Sequence, residues 1–385
     1  MRYVSRIGLL QEGGHGLSGT PIWVPPHIAN LSPYKPGKPA EELEREYGIS
    51  GAVKVASNEN PLGPSPVALE AASLALAEVN RYPDSGGFEL KKGLADKLGA
   101  SPDRLVLGGG CNEIIHMLVG SFCQPGDEVL SHQYAFISYK LAAVSRGVAF
   151  VEAPVTDTLG CDVDKMIERI NDKTRLVFVA NPNNPTGQMV SANGLRMLIK
   201  ATPKTALVVI DEAYFEYAQG QPGYAPSLEF ALSEDRVVLL RTFSKAYGLA
   251  GLRVGFAVMP AELADVVERI RRPFNANMVA QSAALAALTD EAHVIKGVEH
   301  ARVGVGKLTQ KARSLGLVVH DSFTNFVLVE TKQPAADAYE AMLRKGVIVR
   351  PMAGWGLPQS VRISVGNPSE LEKTLGAMDV LRPVS

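Results

Sequence analysis

Several things are scarce in these 385 residues, and each scarcity removes a class of protein. Cysteine occurs three times, at Cys111, Cys123 and Cys161, with no close pair. That is neither a disulfide framework nor a zinc-ligand spacing, and it points to a reducing compartment. The seven histidines show no H-E-x-x-H or similar arrangement, so a metal site is not expected. Charge of one sign is lacking too: 39 basic residues face 40 acidic ones, for a net charge of -1. A nucleic-acid backbone as main partner would demand a basic surface, so none is expected. No apolar stretch approaches membrane-spanning length, and the first residues hold only a four-residue apolar run, too short for a signal-peptide core. The expectation is a soluble cytoplasmic protein.

What is present is ordinary for a globular chain: 46% hydrophobic and 21% charged residues. The length exceeds what one ordinary core serves, so two lobes are expected. Residues 1–30, rich in Gly and Pro, read as an N-terminal arm, and 31–80 as a further arm or small-lobe segment. Within it Ser65 and Pro66 open a helix as N-cap and first helical residue. Leu90, Leu94 and Leu98 mark another helix by their spacing. Gly304-Val305-Gly306-Lys307 lacks the phosphate-loop spacing and reads as helix.

From about 104, short β-branched runs alternate with helical stretches: RLVLGGG, DEVLSH, VAFVEAP, TRLVFVANP, ALVVIDEAY, RVVLLRTFSK and LRVGFAVMP. That alternation predicts an α/β fold with a mostly parallel central sheet covered on both faces, in a large lobe over 81–288. Residues 289–385 read as a smaller α+β lobe.

In such sheets ligands sit beyond the carboxyl ends of the strands. Here those ends carry Gly108-Gly109-Gly110, Cys111 and Asn112; Tyr134; Asn184; Asp211 and Tyr214; and Thr242, Ser244 and Lys245, with Arg253 close behind. A pyridoxal-phosphate site needs each of these types. Lys245 can bond to the cofactor's aldehyde, and Asp211 can pair with the pyridine nitrogen and keep it protonated. Ser244, Arg253 and the free N–H groups of the Gly110-Cys111-Asn112 helix start can bind the phosphate. Tyr134 can stack on the ring, and Asn184 and Tyr214 can bond its hydroxyl. Glu212 reads as structural, and Cys111 as a packed, inert thiol.

The ordered set N-P-N-N-P-T-G at 181–187, D-E-A-Y at 211–214 and T-F-S-K-A-Y-G-L-A-G-L-R at 242–253 resembles the fold-type I aminotransferases. Further segments narrow the resemblance to the histidinol-phosphate aminotransferase family: N-L-S-P-Y-K-P-G-K-P at 30–39, S-N-E-N-P-L-G-P-S-P at 57–66, R-Y-P-D at 81–84, G-C-N-E at 110–113, R-P-F-N-A-N at 272–277 and V-R-I-S-V-G at 361–366. The likeness covers roughly 23–380. It implies a transaminase working by ping-pong between a small amino donor and a 2-oxo acid. It also implies a homodimer with its active sites at the interface. Lys245 is then the Schiff-base lysine and proton carrier, and Tyr82 reaches the cofactor phosphate from the neighbouring subunit. Arg362 binds substrate, and Tyr34 and Arg350 help to bind histidinol phosphate.

Three departures touch the substrate rim. Cys111 stands where Ser or Ala is more frequent, Trp355 replaces a more usual tyrosine, and Ser131-His132-Gln133 precedes Tyr134 where proline is common. They keep an aromatic amino-acid transaminase open as an alternative. A lyase on the same scaffold, such as a threonine-phosphate decarboxylase, is less favoured by the segment 36–48. A regulator is disfavoured because the 22 unplaced residues cannot hold a DNA-binding domain.

Overall fold

Seven of the β-branched runs form one sheet, in the order Leu105–Gly108, Gly255–Val258, Val237–Thr242, Leu207–Asp211, Thr174–Ala180, Glu128–His132 and Ala149–Ala153. The last five run parallel, while Gly255–Val258 is antiparallel to both its neighbours. The computed structural model describes residues 23–31 and 37–382. Residues 1–22 and Tyr34, to which the arm and a substrate role were assigned, lie outside them. The described part of the arm includes a one-turn helix, Pro26–Ala29.

Successive residues of a strand point to opposite faces, so each strand feeds two cores. Val177, Val179 and Leu239 enter one with Leu105 and Leu107. Leu176, Phe178 and Leu240 enter the other with Val106. Phe178 is fully buried. Truncating such a phenylalanine to alanine costs roughly 3–5 kcal/mol, because the close-packed interior cannot refill the cavity.

The helices start where the sequence placed their signals. Ser65 caps Pro66–Ala75 by accepting from Ala68 N at 3.3 Å, and Leu90 and Leu94 are the buried face of Phe88–Leu98. Helix 66–75 packs on Met278–Ala287, and its Ala68 shares the large-lobe core. It thus leaves the arm segment with which it is contiguous. Residues 53–56 go the other way: Val53–Lys54 pairs in parallel with Val347–Ile348.

The smaller lobe holds a four-stranded antiparallel sheet, ordered Arg350–Pro351, Ser360–Ser364, Phe326–Glu330, Val318–Val319. The long helix Glu291–Ser314 flanks it and contains Gly304, where an added Cβ would come within 2.4 Å of Val365 Cγ1. No described helix is long and apolar enough to cross a membrane.

Candidate active site

A cavity opens at the carboxyl ends of the large sheet, lined by Cys111, Asn112, Asn184, Asp211, Tyr214, Thr242, Ser244, Lys245 and Arg253 among others. The strand ends therefore do converge. Val237–Thr242 leaves the sheet and the chain returns as Gly255–Val258, its immediate neighbour. The intervening loop, pinned at both ends, carries Ser244, Lys245 and Arg253 into one corner.

Arg253 takes a left-handed backbone (φ 59°). Its Nη1 donates to Ser244 Oγ at 3.2 Å and its Nη2 to Gly109 O at 3.3 Å. Thr242 Oγ1 accepts from Ser244 N at 3.1 Å and so fixes the approach to that hydroxyl. Beside them Gly110 precedes the twelve-residue helix Cys111–Phe122 at φ 86°. Glycine suits that positive φ, and a Cβ on Gly110 would lie 2.4 Å from Arg253 Nη2 and push the guanidinium away from the helix start. The corner combines a hydroxyl, a guanidinium and unpaired helical N–H groups, which is a site for a phosphate monoester.

Asp211 ends its strand almost fully buried. Its Oδ2 accepts from Tyr139 Oη at 2.8 Å and its Oδ1 from Ala213 N at 3.1 Å. Burial lifts its carboxyl to about 6, against the pull of those two donors. A cationic ring nitrogen in the cavity would supply the charge this carboxylate lacks. Lys245 Nζ donates to Ser57 O at 3.4 Å. Burial, followed by the charge of Arg362, brings its ammonium down to about 8, so a neutral, nucleophilic amine is accessible near neutral pH. Tyr214 Oη accepts from Asn58 Nδ2 at 2.8 Å, and burial pushes its phenol up to about 12.

Tyr134 is not part of this cavity. The loop after Glu128–His132 turns through a left-handed residue at Tyr134 (φ 57°). That turn sends its ring toward Leu328, Met352 and Leu357 of the small lobe, and Phe136, two residues on, lines the cavity instead. Of the two aromatic residues of this loop, it is therefore Phe136 and not Tyr134 that lines the cavity. Tyr139 and Asn58, which sequence reasoning also left without roles, hold Asp211 and Tyr214. Asn58 is set by Ser364, whose Oγ donates to Asn58 Oδ1 at 2.6 Å. Cys111 is buried, its Sγ donates to Arg241 O at 3.1 Å, and burial raises its thiol well above the usual range. Glu212 turns away from the cavity and pairs with Arg241 at 2.8 Å, while accepting from Tyr224 Oη and Ser227 N.

A second cavity adjoins the first and shares Asn184, Lys245 and Arg253 with it. Lys54, Arg350 and Arg362 complete its cations, and among the described residues no carboxylate lines it. Arg362 Nη1 donates to Asn184 Oδ1 and Nη2 to Ala56 O at 2.7 Å. Arg350 and Arg362 face each other in register on neighbouring strands. Tyr82 lines neither cavity: it is 80% exposed and stacks on Phe274 with 4.5 Å between ring centroids.

The family model "Aminotransferase class I and II" matches residues 50–378. Histidinol-phosphate aminotransferase from Anaeromyxobacter sp. (strain Fw109-5) is 46% identical over 356 residues, 92% of this chain and 98% of that protein. Histidinol-phosphate aminotransferase 1 from Nitrosococcus oceani is 43% identical, covering 92% of this chain and 95% of its own. Among solved structures, histidinol-phosphate aminotransferase from Sinorhizobium meliloti in complex with pyridoxal-5'-phosphate superposes with a TM-score of 0.85 at 29% identity, over 95% of this chain and 98% of that one.

Proposed function

The chain belongs to the class I and II aminotransferases, which are pyridoxal-phosphate enzymes, and from that premise we propose that it moves an amino group between histidinol phosphate and 2-oxoglutarate. The observation that carries this reading is the second cavity: besides Lys245 and Arg253, which the cofactor engages, it is lined by Lys54, Arg350 and Arg362 and, among the described residues, by no carboxylate. One guanidinium fork suffices for an α-carboxylate. A phosphate brings about two negative charges and three acceptor oxygens, and can use the pair Arg350 and Arg362.

The first cavity fits the cofactor in its donor set: the gap that Gly110 keeps beside Arg253 is the cradle its phosphate needs. Ser244, Arg253 and the N–H groups at Cys111 and Asn112 would hold that phosphate. Asp211 would face the ring nitrogen, Phe136 would cover one ring face, and Asn184 and Tyr214 would bind the ring hydroxyl. When bound, the cofactor supplies an aldehyde and an electron-withdrawing ring that take up the amino group and pass it on. Lys245 Nζ then moves the proton at the substrate Cα, a task suited to an amine whose proton affinity lies near the working pH. Tyr139 keeps the Asp211 carboxylate oriented, and Arg362 keeps Asn184 in place.

The active form is a homodimer in this reading. Tyr82, Leu74, Leu76 and Val79 form an exposed apolar surface, and Arg253 is exposed on the rim of the phosphate corner. A second copy would cover both and bring Tyr82 to the partner's phosphate. Mixing Lys245→Ala and Tyr82→Phe proteins should restore activity above either alone, because one site of each mixed dimer is then intact. A fully active monomer in sedimentation refutes this. Three unpaired cysteines suit a cytoplasmic location.

The substrate is tested with a panel of histidinol phosphate, phenylalanine, tyrosine and threonine phosphate, scored for amino transfer and for carbon dioxide release. Transfer should be fastest with histidinol phosphate. A preference for phenylalanine, or carbon dioxide from threonine phosphate, overturns the reading.

A further inference from the structure

Trp355 stands on the turn Ala353–Trp355, where the small lobe meets the loop 132–137 of the large one. The Arg350 guanidinium lies over its ring, 5.1 Å from the centroid. Both residues line the cationic cavity, and Trp355 also walls a neighbouring cavity with Tyr134 and Phe136. Tyr134 belongs to the same apolar cluster as Trp355, with Leu328, Met352 and Leu357. Gly356 closes the turn at φ 84°, and a Cβ there would meet the Tyr134 ring at 3.2 Å. The turn thus lies close beside the Tyr134 ring.

Trp355 Nε1 is buried and has no hydrogen-bond partner among the described residues. The indole's contact with a charged group is made by its face, and indole binds cations through the negative potential above its ring.

We propose that Trp355 is a positioning residue for substrate specificity: its indole face holds the Arg350 guanidinium oriented over the substrate cavity, so that a phosphate monoester meets a prepared fork. The proposal rests on the reading of the substrate given above. An arginine side chain has many rotamers, and fixing one before the ligand arrives removes an ordering cost from binding. The effect therefore falls on substrate capture rather than on proton transfer at Lys245.

The test compares Trp355→Leu, Trp355→Phe, Arg350→Ala and the double variant Trp355→Leu/Arg350→Ala in steady state with histidinol phosphate. Trp355→Leu should raise KM by about 5- to 30-fold, the range for a desolvated cation–π contact, with kcat within about twofold. Trp355→Phe, which keeps a ring face and drops the orphan N–H, should recover most of the affinity. In the Arg350→Ala background the Trp355→Leu change should add nothing. Additive losses, or a phenylalanine variant as impaired as the leucine one, overturn the proposal.

A second readout needs no turnover. Tryptophan occurs twice, at Trp23 and Trp355. In a Trp23→Phe background, titrating inorganic phosphate into the holoenzyme should change the Trp355 emission, and Arg350→Ala should abolish that change. An emission indifferent to phosphate, or a response that survives Arg350→Ala, also overturns the proposal. A wild type that rejects histidinol phosphate sinks the substrate reading instead, and the phosphate titration then decides the role of Trp355 by itself.

Discussion

The floor of the site and its rim are built by different rules. The floor, Cys111, Asp211, Thr242, Ser244, Lys245 and Arg253, comes from consecutive strand ends of one sheet and from one pinned loop. The rim, Asn58, Phe136, Arg350, Trp355 and Arg362, is gathered from both lobes, and its members are set by each other: Asn58 by Ser364, Arg362 by Asn184, Arg350 by Trp355. A floor of this kind carries the chemistry. A rim of this kind can exchange one aromatic for another and retune what is bound.

The sharpest test of that contrast is Lys245→Ala. Removing the group that moves the Cα proton should lower turnover by about 10²- to 10⁴-fold. Borohydride should fix the cofactor onto Lys245 in the wild type and onto no lysine in the variant. A different adduct site in peptide mapping would dissolve the floor as described.

Asp211→Asn comes next. It preserves shape and removes the charge that would face the ring nitrogen, and kcat should fall by about 10²- to 10³-fold, the scale of one preorganised electrostatic contact. Near-normal turnover would mean that the nitrogen is held elsewhere.

A smaller effect separates the two aromatics of the loop 132–137. Phe136→Leu should weaken cofactor retention by about 2- to 12-fold, as for the loss of one aromatic contact, measured by dialysis and absorbance. Tyr134→Leu should leave retention unchanged and act on the KM for histidinol phosphate through Trp355. The reverse pattern would restore Tyr134 to the cofactor.

The smallest effect is on stability without cofactor. Burial raises Asp211 to about 6 in the folded chain, above its usual value of 3.8. The folded state then binds this proton more tightly than the unfolded one, so Asp211 costs stability progressively as pH rises from about 4 to 6 and in full above that. Apo Asp211→Asn should therefore melt a few degrees above apo wild type at pH 8, with the gap closing by about pH 4. A gap that widens in acid would mean that the carboxylate is stabilised in the fold.

Most of the floor was legible in the sequence because strand, turn and functional residue lie within a few positions of one another. Lys245 follows a buried strand and two hydroxyl residues, and Asp211 ends another. The sheet's five parallel strands announced themselves in the same way. The antiparallel insertion of Gly255–Val258 did not, since a long loop rather than a tight turn joins it to Val237–Thr242. On the rim, Tyr134 and Phe136 are both aromatic and two apart, so composition gives no ground for choosing. With a left-handed turn at Tyr134, Phe136 is the one that lines the cavity. Tyr139 reads as a core residue of its helix, and only its hydrogen bond to Asp211 distinguishes it. Asn58 lies in a quoted motif, but its partners Tyr214 and Ser364 are 156 and 306 residues away.

The pinned loop between Val237–Thr242 and Gly255–Val258 also has a consequence for the order in which the protein comes into being. It is the last piece of the floor, and the ribosome makes it about 100 residues before Arg350. At about 5–20 residues per second that is a head start of roughly 5–20 s. The nascent chain thus carries every group of the phosphate corner, and the complete central sheet beneath it, before either rim arginine has been polymerised.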